Sequence, residues 1–415
     1  MKKNVRRKTS ALIAGIAFPL LLFLAAAAVT MIYSYHNAGS KYHKINYDYS
    51  KAKTLTTASA AALQKKIISS FKHEEAELFY YKNSNYDLDN FSFAGLYDYL
   101  KAGCRVKQKL MNYGRYIWVD NSTLLVRSST DNLSMVKNCK FTAVELFTPN
   151  VKDYSFLLYN DLREAEVNIL INDLRDLAIF NYLEAKNKTF HIYGHCLSDP
   201  AVLKTVDFDG INIRYAPENI LSCLPDNMTT IDIYVNYGGN LKLQELSRFK
   251  KLKKLKLGYV NSTAQNIDLS GCKELEELVF FLISDSGTVT LPEKLKRLDM
   301  QYTYLKISNK RLKVKDVVVS PANFDFSTQI QADQISIQCY EDDELEQLLN
   351  YSKPIRCRKL DIEISDIHKN ADLAPLRKLK INKLDISNWF GYKFSVKNLL
   401  SSGAKTIYFN NKKIK

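Results

Sequence analysis

The residues best placed to do chemistry lie in HIYGHC, where His191, His195 and Cys196 come close to Asp199. Two histidines at i and i+4 can clamp a metal ion when they share a helix face. Gly194 interrupts the pair and His191 falls within a strand-like run, so the spacing predicts a strand and its exit turn. YEDDELEQ concentrates acids, yet its spacing fits a helix start in which Asp343 and Glu346 form a capping box better than a calcium loop. The chain contains no GxGxxG, GxSxG, HExxH or phosphate loop, the patterns of nucleotide, hydrolase and metalloprotease chemistry. Seven cysteines (Cys104, Cys139, Cys196, Cys223, Cys272, Cys339 and Cys357) are scattered without a CxxC. That distribution reads as small core residues, not as a zinc site or a disulfide framework. No catalytic residue, cofactor or metal is expected.

KKLKKLKLGY (Lys250 to Tyr259) shows which elements hold these residues. Its leucines step by three and then by two, which no single amphipathic helix places on one stripe. KELEELVFF and KLKRLDM repeat the apolar spacing at Leu275, Leu278, Phe280 and at Leu295, Leu298, Met300, while the charge between them reverses and reverts. A membrane-seeking helix would keep its positive face in every copy. These are repeat units.

Strand-like clusters start at Val144, Val167, Phe190, Val206, Ile231, Leu255, Leu278, Leu298, Val317, Ile335, Leu360, Leu384 and Ile407. In FKKLKKLKLGY, CKELEELVFF and EKLKRLDMQY the LxxLxL pattern resembles the leucine-rich repeat, and IDLSGCKELEEL with LPEKLKRLDM is similar to the irregular repeats of bacterial surface proteins of that class. The resemblance runs from about Cys139 to the C-terminus. It implies an α/β leucine-rich-repeat solenoid with a curved parallel β-sheet, one strand per unit, the first and third residues of each cluster facing inward. Asn172 to Ala185, Pro217 to Leu224 and Glu341 to Tyr351 read as short helices, whereas the shorter spacings between Thr288 and Asp333 leave room only for extended connections.

Residues 34–138 stand outside the ladder as a membrane-proximal stalk and a mostly helical cap. Within them Thr54 to Tyr81 reads as an amphipathic helix and Arg115 to Ser129 as a hairpin turning at Asp120 to Ser122. Residues 139–415 form the solenoid, ending in a last strand at Ile407 to Phe409 whose trailing lysines discourage edge pairing. At the N-terminus, Lys2, Lys3, Arg6, Arg7 and Lys8 precede 23 uncharged residues, Ala11 to Tyr33, about the length that crosses a bilayer. Residues 1–33 therefore read as a signal anchor holding a single-pass protein in the cell membrane with the C-terminal domain outside. Cleavage at Ala26-x-Ala28 would make it a secreted protein.

Of the net charge of +15, the leader supplies +5 and leaves +10 for the rest. The second and fourth residues of each cluster should face the concave side. They include Glu145, Asp207, Asp209, Asp232, Asp299, Asp361, Glu363 and Asp385 against one base, Lys256, with Phe147, Tyr193, Tyr234, Phe281 and Tyr408 among them. An acidic, aromatic-bearing concave face suits a protein partner with a basic segment; exposed aspartates also simply keep a sheet soluble. The second binding reading uses the lysine-rich convex side (Lys250, Lys251, Lys253, Lys294, Lys296, Arg297) against anionic wall polymer or lipid. The basic excess is diffuse and predicts no nucleic-acid partner.

Overall fold

The computed structural model describes residues 42–69, 116–127, 133–147, 151–261, 265–284, 287–323, 328–339, 342–350, 355–364, 373–379, 381–388 and 395–415. The protein is α/β, dominated by large, mostly parallel sheet. It comprises two compact units, residues 1–186 and 187–415. The expected leader lies outside the described residues. Among those residues no helix is long and apolar enough to cross a membrane.

In the first unit, the segment after Tyr42 is strapped down by its side chains. The Tyr42 hydroxyl donates to Asp176 Oδ1 at 2.6 Å, Tyr47 to Asn138 Oδ1 at 3.1 Å and Tyr49 to Glu184 Oε2 at 2.8 Å. A helix follows at Thr57–Ser69. It is opened by reciprocal bonds between Thr56 and Ser59 and buries Ala60, Leu63 and Ile67 at helical spacing. The helix starts three residues later than the expected Thr54, and residues 70–81 of the expected span are outside the described residues. The predicted hairpin forms as β1 (Tyr116–Val119) and β2 (Thr123–Arg127). Asp120 Oδ1 holds its turn by accepting from the Ser122 and Thr123 amides. It corrects the expected boundary: β2 pairs in parallel with β3 (Ala143–Leu146), which pairs with β4 (Glu166–Leu170). The hairpin is therefore part of the sheet. With it included, the described part of residues 34–138 is not mostly helical.

In the second unit, β5 (Asn187–Tyr193), β6 (Gly210–Ala216), β7 (Thr230–Gly239) and β8 (Lys254–Val260) pair in parallel in chain order. Three very short strands, β9 (Asn266–Asp268), β11 (Thr288–Thr290) and β13 (Lys306–Ile307), form a small separate parallel sheet. β11 and β13 are extended connections in the tightly spaced stretch, as expected; β9 precedes that stretch, and Pro321–Asn323 within it forms a short helical turn. The main sheet skips the three short strands and continues through β10 (Glu277–Phe281), β12 (Lys294–Gln301), β14 (Arg311–Val319), β15 (Gln329–Cys339), β16 (Ile355–Ile364), β17 (Lys383–Asn388) and β18 (Thr406–Phe409). Short helical turns such as Pro200–Thr205 and Leu243–Arg248, and the helix Asp342–Asn350, link units elsewhere.

Parallel in-register pairing turns strand alternation into continuous buried columns. One column runs Phe190, Ile211, Ile231, Leu255, Leu278, Leu298, Val317, Ile335, Leu360, Leu384, Ile407, none more than 1% exposed. Each such side chain contributes roughly 1.5–3 kcal/mol by leaving water. Twelve of the thirteen expected clusters fall on strands; VDFD is the exception. Val206 and Phe208 are buried as a strand pattern requires, but they belong to the approach to β6. There Asp209 accepts the Lys188 amide on its side chain and the Thr229 amide on its carbonyl. The strand of that unit is β6, within which the repeat cluster INIR starts at Ile211. The last edge also differs from expectation. Asn410 and Asn411 both adopt positive φ (46° and 64°), forming a tight hairpin turn, and β19 (Lys412–Lys413) folds back antiparallel on β18.

Candidate binding surface

Three positions on each strand of the second unit face away from the buried columns. The middle row reads His191, Asn212, Asp232, Lys256, Val279, Asp299, Val318, Ser336, Asp361, Asp385, Tyr408 in register. Two residues later come Tyr193, Arg214, Tyr234, Gly258, Phe281 and Gln301, and, farther along the sheet, Gln338, Glu363 and Ser387. Two residues earlier lies a row that includes Lys254, Glu277, Arg297, Asp316, Gln334, Lys359 and Lys383.

That earlier row overturns the expected acidic face. Strand alternation puts residues i and i+2 on one side, so RLD and KLD place a base beside each acid. Arg297 reaches Asp299 at 3.0 Å, Lys359 reaches Asp361 at 2.7 Å and Lys383 reaches Asp385 at 3.5 Å. Six bases (Arg214, Lys254, Lys256, Arg297, Lys359, Lys383) meet seven acids (Asp232, Glu277, Asp299, Asp316, Asp361, Glu363, Asp385) across the three rows. The surface is close to neutral. Asp207 and Asp209 are absent from it, being in the loop before β6, where Asp207 pairs with Lys188. Glu145 is half-buried on β3 of the first unit, between Leu125 and Asn168, and Phe147 follows that strand. Glu363 accepts from Gln338 Nε2 at 3.0 Å, and Lys383 lies 4.3 Å over the Tyr408 ring.

Burial is the largest influence on these carboxylates, and repulsion from Asp385 adds to it at Asp361. Burial pushes the Asp232 carboxyl up, against the pull of Arg214 and Lys256. It does the same to Asp299 against Arg297 and to Asp361 against Lys359. Asp232 takes one hydrogen bond, from Asn212 Nδ2 at 2.9 Å, and its buried Oδ1 has none.

The aromatics, by contrast, assemble into one band. The Arg214 guanidinium lies 3.7 Å from the Tyr234 ring centroid. Tyr234 meets Tyr259 at 5.9 Å, Tyr259 meets Phe281 at 5.7 Å and Phe281 meets Tyr302 at 5.6 Å, the last two edge to face. Gly258 makes this possible: a Cβ there would sit 2.6 Å from the Tyr234 ring. Strand alternation alone points Tyr259 and Tyr302 inward. Their backbones are left-handed, φ 60° and 54°, which breaks alternation and brings their rings to the outer side. Tyr215 (φ 62°) and Leu282 (φ 52°) hold the same place on β6 and just after β10. A tyrosine directly after the fourth cluster position, in RYA, GYV and QYT, was the available signal. Tyr215, Tyr302 and Tyr304 are 56%, 45% and 65% exposed.

His191 sits in the middle row, whereas His195 stacks on Tyr193 at 5.6 Å in the turn Gly194–Cys196. No group of three His, Cys, Asp or Glu among the described residues is arranged to hold a metal ion. Cys139, Cys223, Cys272, Cys339 and Cys357 are buried, and burial pushes the Cys139 thiol up to about 11. No protein-family model, no curated protein and no solved structure matches this chain.

Proposed function

We propose that the chain is an exported, membrane-anchored solenoid of the leucine-rich-repeat type that captures a protein partner on the outer, concave face of its main sheet. The aromatic band from Tyr234 to Tyr302 carries this reading. Half-exposed tyrosines on rigid strands supply large contact area at little entropic cost, the profile of interface hot spots. Left-handed tyrosines cost backbone energy, of order 1–2 kcal/mol each, and they recur on β6, on β8 and just after β12. The paired acids no longer argue for a strongly basic partner; they hold the platform, and the rings supply the anchors. The apolar run Ala11 to Tyr33 supports anchoring and export.

The test is affinity capture from the native cell surface, comparing the wild-type chain with Tyr259→Ala/Phe281→Ala. The reading expects one or more proteins retained by the wild type and lost, by roughly 30-fold in affinity, from the variant. Identical capture by both chains rejects it.

A further inference from the structure

A second face of the same unit carries, among its described residues, an excess of positive charge. Ahead of the outer rows, β14, β15 and β16 extend toward their N-termini. There alternation resumes with the opposite phase: Leu312, Val314, Ile330, Ala332 and Cys357 are buried. Arg311, Lys313, Lys315, Arg356 and Arg358 between them are exposed. None of these five pairs with a described acid, unlike Lys253 with Glu274 at 3.8 Å and Lys296 with Glu276 at 2.7 Å. The register sets Lys313, Gln331 and Arg356 side by side across the three strands. Successive cations on β14 are thus about 7 Å apart, and β14 and β16 about 10 Å apart. Leu295, Val314 and Ala332 floor a groove of about 300 Å³ there, walled by Lys313, Lys315, Gln331 and Asp333, the face's one acid among the described residues.

We infer that this face binds a linear phosphodiester polymer. Guanidinium forks and the Gln331 amide donate to non-bridging phosphate oxygens, and a row of cations at even spacing matches a chain with one charge per repeat. A bilayer suits it less, because among the described residues the exposed large apolar side chains, Tyr193, Tyr215, Tyr302, Tyr304, Val396 and Leu400, lie elsewhere. The site is separate from the aromatic band and does not depend on it.

The test uses the full-length chain and synthetic poly(glycerol phosphate), titrated between about 50 and 200 mM salt. Arg311→Gln/Lys313→Gln/Lys315→Gln should weaken binding at least about tenfold and flatten the log–log salt slope by about 2. Lys250→Gln/Lys251→Gln/Lys253→Gln, with the same change in net charge, should leave binding within about twofold. Unchanged thermal unfolding of both variants shows that the fold is intact. Equal losses in the two variants would reduce the effect to net charge. Equally tight binding of polyglutamate, or binding to anionic vesicles without binding to the polymer, would overturn the assignment.

Discussion

Lys359 and Asp361, two residues apart on β16, face the same way, and their side chains meet at 2.7 Å on the outer surface. Asp361 Oδ2 also accepts from Gln334 Nε2 at 2.8 Å, while its buried Oδ1 accepts from no group. Lys359→Ala should therefore leave a half-satisfied carboxylate and cost about 1–3 kcal/mol in urea unfolding. Adding Asp361→Ala should recover part of that loss. A double mutant as unstable as the sum of the singles would show that the two do not act as a pair.

Burial raises the Asp232 carboxyl above its ordinary range. A folded-state value above the unfolded one favours folding at low pH, and that contribution is lost as pH rises through the folded value. Asp232→Asn should thus be more stable than the wild type at pH 7, with the gap closing below about pH 4. Thermal midpoints across that range check the sign. An Asn variant less stable at pH 7 would contradict the burial account.

The buried column predicts a uniform response. Leu255→Ala and Leu278→Ala, at 0% exposure, should each cost about 2–5 kcal/mol. Val318→Ala, whose side chain shares the outer middle row with Ser336, should cost under about 1 kcal/mol. A large loss at Val318 with none at Leu255 would mean the inward and outward rows are reversed.

Those columns were legible in the sequence because a period of two leaves the same apolar slots in every copy, as at Leu255, Leu278 and Leu298. VDFD copied that period in a loop: Val206 and Phe208 are buried like strand residues, and only Asp209's hold on neighbouring backbone distinguishes them. The charge of the face is not legible from the apolar clusters for a related reason. The acids follow the first apolar slot of each cluster, whereas Arg297, Lys359 and Lys383 lie just before it. Tyr259 and Tyr302 escaped because left-handed backbone, invisible to alternation, decides where their rings go.

Tyr215 offers a separation of stability from binding. It is 56% exposed with φ 62°, so Tyr215→Gly should relieve strain and change stability by no more than about 1 kcal/mol, in the stabilising direction. If the tyrosine is kept for contact, the same variant should bind the captured partner more weakly. Stabilisation with undiminished binding would remove Tyr215 from the proposed surface.

The most direct measurement is hydroxyl-radical footprinting of the full-length chain, free and with its captured protein partner. Protection is predicted at Tyr234, Tyr259, Phe281, Tyr302 and Tyr304, with Arg311 to Lys315 and Arg356 to Arg358 unchanged. Protection confined to surfaces away from those rings would contradict the account.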